Sequence, residues 1–288
     1  MRYIDTSKLE IPENWQELAK QSNYSPLWSY LKPKFESIVG KKCWYNESIN
    51  DGSTNPIDHF RPKAQNCKCL TNKYATLEES VWDQLSSGEQ TGYPFLEFEH
   101  LNYRYACGYS NSGHKRESVD GVTRGKWDFF PLRLGTISAN SAQNLNEEQF
   151  ALLDPCNSSD PSLLTFDEFG GIIPSEKVQI NSWDYCRVKV SIEVYHLLYS
   201  KIAEKRLEKW TATVRLIELA SKLYHKTNKS IEEHESFTYF FENLVRSIYK
   251  DAEYSAVAID CIKYFLKRKS TINYDWLSKT VPENLLEK

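Results

Sequence analysis

Ile57-Asp58-His59-Phe60-Arg61-Pro62-Lys63 is the stretch on which the reading of the chain turns. It sets a carboxylate beside an imidazole, follows them with two cations, and stiffens the exit with a proline. These residue types are what phosphodiester hydrolysis uses: a ligand for a cation, a general base, and contacts for phosphate. An Asp-His pair alone is a weak signal, and a capped turn is its simplest structural reading. The flanks add weight. Lys42-Cys43-Trp44-Tyr45-Asn46-Glu47 lies upstream. Downstream, Tyr105-Ala106-Cys107-Gly108-Tyr109-Ser110-Asn111-Ser112-Gly113-His114-Lys115 brings an asparagine and a second histidine.

The chain has 288 residues, enough to bury a core in one or two domains. Its 40% hydrophobic content, rich in Tyr and Trp, excludes a disordered chain. A net charge of −3 means that nucleic acid, if bound, meets a local basic patch or a partner's surface. The first residues hold no apolar run, so no signal peptide is expected, and no stretch has the length of a membrane span. Seven cysteines, an odd number, fit free thiols in a reducing cytoplasm.

Periodicity predicts short helices over 13–20 and 26–39, the second stopped by Gly40. Residues 64–97 read as a polar insertion with a helix over 77–85; covering one edge of the site and being a plain solvated loop both stay open. Residues 98–109 read as a strand, or as a helix start leading into one. Residues 164–174 read as a hairpin turning at Gly170-Gly171. From Asp184 the pattern is helical, and His196, His225 and His234 have no ligand-spaced neighbours there. Gly-rich phosphate loops are absent, which excludes P-loop ATP binding.

The segments KCWYNE (42–47), IDHFRPK (57–63), FEHLNYRYACGYSN (98–111), KWDFFPL (126–132) and LLDPCNSSDPSLLTFDEFGGIIP (152–174) resemble, in that order, the HNH nuclease of Septu-type anti-phage systems, the PtuB-like family also found beside some retrons. The resemblance implies an α+β protein. A ββα-metal (HNH) motif, built on a degenerate treble clef, is embedded in a mainly helical frame. A nuclease domain with the N-terminal helices and the insertion then spans 1–175, and a helical region spans 176–288.

It also implies roles. His59 takes a proton from the attacking water, and Asn111 is the central asparagine of the motif. Asp58 and His114 hold one divalent cation, Mg²⁺ or Mn²⁺, although the register at His114 is open by one residue. Arg61, Lys63, Arg104 and Lys115 contact nucleic acid. The last two belong to a basic region with Arg116, Arg124 and Lys126, for which a solvated surface is the plain alternative. Asp154 either approaches the site or caps a turn.

Cys43 and Cys107 are what remains of two Cys-x-x-Cys knuckles, with Asn46 and Ser110 in the other positions, so structural zinc is expected to be absent. Cys67-Lys68-Cys69 is the one segment able to restore it. Burial of Trp44, Tyr45, Tyr109, Trp127 and Phe130 is expected to replace the metal's contribution.

Expected partners are a PtuA-like ATPase and, beside a retron, its reverse transcriptase with its non-coding nucleic acid. The expected function is endonucleolytic cleavage of DNA in anti-phage defence. A ribonuclease acting, for instance, on tRNA and a non-catalytic interaction subunit stay open, because HNH chemistry does not use the 2′-hydroxyl.

Overall fold

Two N-terminal helices, α1 (Trp15–Gln21) and α2 (Tyr24–Val39), bear out the amphipathic reading of this region. Residues 1–21, 24–49, 55–69, 76–87, 89–113, 122, 124–268 and 274–288 are described by a computed structural model. In α2, Leu27, Leu31, Phe35 and Val39 step by four residues, and all are buried. Gly40 stops the helix with a φ of +76°, a conformation glycine adopts without steric cost.

β1 (Ile57–His59) is the first strand. The insertion after it is not a loop. It contains β2 (Asn66–Lys68), α3 (Glu79–Trp82) and β3 (Glu89–Thr91), and β2 pairs antiparallel with β3. Cys67, Leu77, Val81, Leu85 and Tyr93 from this segment are buried in the main core, which is why it folds back. β4 (Tyr103–Tyr105) then pairs antiparallel with β1, with Ile57 opposite Tyr105, Asp58 opposite Arg104 and His59 opposite Tyr103. A one-turn helix, α4 (Gly108–Asn111), follows directly.

β5 (Leu164–Phe166) and β6 (Ile172–Pro174) form the expected hairpin. The rest is helical: α5 (Trp183–Val194), α6 (Ser200–Tyr224), α7 (Ile231–Ser247), α8 (Ser255–Lys267) and α9 (Asp275–Thr280). The fold is therefore α+β, with three small antiparallel sheets among helices in the described residues. Among the described residues no helix is long and apolar enough to cross a membrane.

The larger of two core clusters draws on segments from Met1 to Val281. It joins Cys43, Phe60, Cys107 and Leu132 to Val190, Ile217, Ala258 and Trp276. α8 is its axis, since every residue from Ser255 to Ile262 is buried, the signature of a helix enclosed on all sides. A second cluster holds Trp15, Leu31, Phe35 and Trp44 against Ile57, Tyr103 and Tyr105, and so docks the N-terminal helices on the β1–β4 pair.

Candidate active site

A cavity of about 400 Å³ opens beside the β1–β4 pair. Ile57, Asp58, His59, Pro62 and Lys63 line it from β1 and its exit, Asn111, Ser112 and Gly113 from the end of α4, and Trp127 and Asp128 from a later turn. Asp58, His59, Lys63 and Asn111 are thus brought together across more than fifty residues of chain. Asn102 holds the exit of β1 in place. Its Nδ2 donates to the Arg61 carbonyl at 2.9 Å, and its Oδ1 accepts from the Arg61 N–H at 2.8 Å.

His59 sits edge-on to Tyr103, with ring centroids 5.0 Å apart. Its Nε2 lies 2.9 Å from the Glu97 carbonyl oxygen. A carbonyl only accepts, so Nε2 carries the proton and Nδ1 keeps a lone pair. Burial, helped by the nearby Lys63 and Lys126, pulls the imidazole down to about 4, against the Glu97 hydrogen bond. At neutral pH the ring is uncharged and its Nδ1 can take a proton. Lys63 Nζ pairs with Glu97 Oε1 at 3.0 Å, so one residue orients both the histidine and the cation.

Asp58 faces the other side of the strand, as successive residues must. Its Oδ2 accepts from the Tyr45 hydroxyl at 2.6 Å and its Oδ1 from the Lys126 ammonium at 3.0 Å. Lys126 is wholly buried and also donates to the His59 carbonyl oxygen at 2.7 Å. Burial pushes the Asp58 carboxyl up from its ordinary value, and Lys126 opposes that. Magnesium is commonly held by one or two carboxylates, with water and substrate phosphate completing its shell. A carboxylate has more lone pairs than two donors consume. Asp58 lines the cavity and keeps spare lone pairs, but with Tyr45 and Lys126 on its two oxygens it could hold such a cation only if Lys126 gave way. Among the described residues no three His, Cys, Asp or Glu side chains form a metal cage, and His114 lies outside them, as do Lys115 and Arg116.

The expected cations divide. Lys63 lines the cavity, but Arg61 and Arg104 turn into the core. Arg61 Nε pairs with Glu148 at 2.9 Å, and its guanidinium lies 4.9 Å from the Phe150 ring centre. Arg104 is held in a fork by Asp154, Nε to Oδ1 at 2.7 Å and Nη2 to Oδ2 at 2.6 Å. Its Nη1 donates to the Leu101 and Tyr103 carbonyls. Arg124 is paired with Glu193 at 2.8 Å. These three cations and Lys126 differ from the expected basic face because each is buried or nearly so, and a buried cation is retained where a carboxylate compensates it. Asp154 serves Arg104 and the turn to Cys156 at once, its Oδ1 accepting the Cys156 N–H at 2.9 Å.

The four knuckle positions do meet. Asn46 Nδ2 lies 3.0 Å from Cys107 Sγ and 3.0 Å from Ser110 Oγ, and the last two atoms are 3.6 Å apart. Asn46 Oδ1 accepts from the Ser48 N–H at 2.9 Å and its hydroxyl at 2.8 Å. A hydrogen bond from Cys43 pulls the Cys107 thiol down, and Ser110 and Asn46 add to it. All four side chains are buried. Trp44, Tyr45 and Phe130 are buried around this region and Tyr109 stacks on Tyr199 at 4.5 Å, but Trp127 is 55% exposed, against expectation. Hydrogen bonds thus join Asn46, Cys107 and Ser110 at the positions where the resemblance places the knuckle ligands. Cys43→Ser with Cys107→Ser is expected to lower stability by about 1–3 kcal/mol without unfolding the chain. Urea denaturation measures the loss, and elemental analysis showing one zinc per chain would overturn this account of the cluster.

Sequence reasoning missed Tyr45, Glu97, Asn102 and Lys126 as partners of the expected residues. None carries a local signal, because each acts through a fold contact with a distant segment. No match to this chain is found among protein-family models, curated proteins or solved structures.

Proposed function

We propose that the protein is an HNH-type endonuclease in which His59 Nδ1 removes a proton from water as the water oxygen bonds to phosphorus. The phosphorus–oxygen bond to the leaving sugar oxygen breaks, and the leaving oxygen takes a proton from solvent. Lys63, at the cavity wall, meets the negative charge of the phosphate. Asn111 lines the same cavity, where its amide can hydrogen-bond to the bound strand. When a divalent cation is bound at Asp58, it supplies charge stabilisation to the leaving oxygen. The observation that supports the reading is a neutral, carbonyl-oriented imidazole beside Asp58, Lys63 and Asn111 in one cavity.

The sequence resemblance supports a place in anti-phage defence with a PtuA-like ATPase as partner and, beside a retron, its reverse transcriptase and non-coding nucleic acid. DNA and RNA both carry the bond to be cut, so incubation with each, with Mg²⁺ or Mn²⁺ and with the co-expressed partner, is the direct test. Cleavage is expected to stop in EDTA and to return with excess Mg²⁺. Full activity in EDTA would remove the cation from the proposal, and no cleavage of either polymer under any of these conditions would remove the nuclease.

A further inference from the structure

Trp127 is an anomaly within the cavity. The residues around it in sequence are turned inward, Lys126 and Phe130 being fully buried. Its own indole is 55% exposed. Its backbone is also unusual, with a φ of +39° at the corner of a turn closed by the Phe129 N–H on the Lys126 carbonyl at 2.7 Å. Glycine is the ordinary occupant of such a corner, and a bulky side chain there is strained. Exposure and strain are both unfavourable, and a glycine or a small polar residue would relieve both. Strain of this kind is characteristic of functional positions.

The corner is also held rigidly. The Lys126 and Trp127 N–H groups donate to the Ser110 and Asn111 carbonyls at 2.8 and 2.6 Å. Gly125, with a φ of +124°, runs so close to the end of α4 that a Cβ there would fall 2.0 Å from the Ser112 carbonyl oxygen. Lys68 Nζ lies 4.1 Å from the centre of the indole ring and 4.0 Å from Asp128 Oδ2, which steadies the ring. A half-exposed aromatic ring on a fixed backbone corner therefore stands at the wall of the cavity that contains His59, with Lys68 over it and Lys63 on the same cavity.

We propose that Trp127 is the platform on which an unpaired nucleobase of the substrate stacks, adjacent to the phosphate addressed by His59. This rests on the reading of the cavity as a hydrolytic site. An aromatic face takes any base, whatever its sequence, but only one free of its own duplex stack. The protein accordingly prefers single-stranded or looped nucleic acid to intact duplex.

The test uses the full-length chain carrying His59→Ala, so that binding is read without cleavage. Fluorescence anisotropy follows a labelled DNA strand, the same strand in duplex, and the RNA strand of the same sequence. Trp127→Ala is expected to weaken binding of the single strands about 10- to 100-fold, with duplex binding unchanged and Trp127→Phe close to Trp127 itself. The melting temperature of Trp127→Ala should change little, because the substitution removes exposed apolar surface and the Lys68 contact but, keeping a Cβ, leaves the positive φ as it was. In the protein with His59 intact, the same substitution should slow cleavage of single strands. If the chain cleaves nucleic acid and Trp127→Ala binds single strands as before, the platform is overturned and the nuclease stands. If nothing is cleaved but single-strand binding depends on Trp127, the platform stands and the nuclease falls. If no strand is bound or cleaved, both fall, and Trp127 faces a protein instead.

Discussion

His59→Ala is expected to reduce cleavage about 10²- to 10⁴-fold, which is the range a general base supplies. At about 1.4 kcal/mol per factor of ten, this raises the barrier by roughly 3–5 kcal/mol. The expectation rests on the fixed tautomer. With Nε2 held on the Glu97 carbonyl, Nδ1 is the ring atom left to accept the water's proton. Removal of the ring takes one of two donors from that carbonyl, the Tyr103 hydroxyl remaining at 2.7 Å, and takes away the edge contact with Tyr103, so stability also falls, by about 1 kcal/mol. His59→Gln separates the two effects. Its side-chain amide can donate to Glu97 and preserve much of the fold, but it has no basic nitrogen. Rates from initial cleavage, normalised to folded protein by circular dichroism, decide the matter. A glutamine variant that cleaves as fast as the wild type would refute the base assignment.

Lys126→Met is expected to cost about 3–5 kcal/mol of stability, because it leaves the buried Asp58 carboxylate without its ammonium. For a domain whose total stability is about 5–15 kcal/mol, this is close to unfolding. The His59 carbonyl also loses a donor at 2.7 Å, so the strand that carries the base loosens. Asp58→Asn in the same chain should recover a large part of the loss, since an amide still meets Tyr45 and buries no charge. Urea titrations of the two single variants and the double variant give the coupling directly. Additive losses would mean that the 3.0 Å contact carries no energy.

Particular residues show what was legible. The four-residue stripe of α2, its stop at Gly40 and the β5–β6 hairpin follow from local propensity and spacing, and all are present. The spacing of Cys43-x-x-Asn46 and Cys107-x-x-Ser110 also carried its information, since these side chains meet over sixty residues apart. Charge did not. Arg61, Lys63 and Arg104 look alike in sequence and each meets a carboxylate, yet of the three only Lys63 lines the cavity, because Glu148 and Asp154 hold the two arginines toward the core while Glu97 meets Lys63 at the cavity. Lys126 and Trp127 are the clearest case. A lysine turned inward and a tryptophan turned outward reverse what hydropathy suggests, and the positive φ that reverses them has no signature in residue type. In the insertion the helix within 77–85 was legible, but β2 was not, since at three residues it is too short for its alternation to register.

The hydrogen-bonded set of Cys43, Asn46, Cys107 and Ser110 bears on how the protein behaves in a cell and in a test tube. A nuclease hairpin closed by zinc draws on the supply of that ion, so starvation or a chelator dismantles the scaffold and the chemistry together. In this chain Asn46, Cys107 and Ser110 meet through hydrogen bonds at the positions where such ligands would stand. If elemental analysis finds no zinc there, a host or phage that withholds the ion is expected to leave this hairpin intact. On the proposed nuclease reading, the effect of a strong chelator on cleavage would then report the ion at the site and not the shape of the hairpin that carries His59.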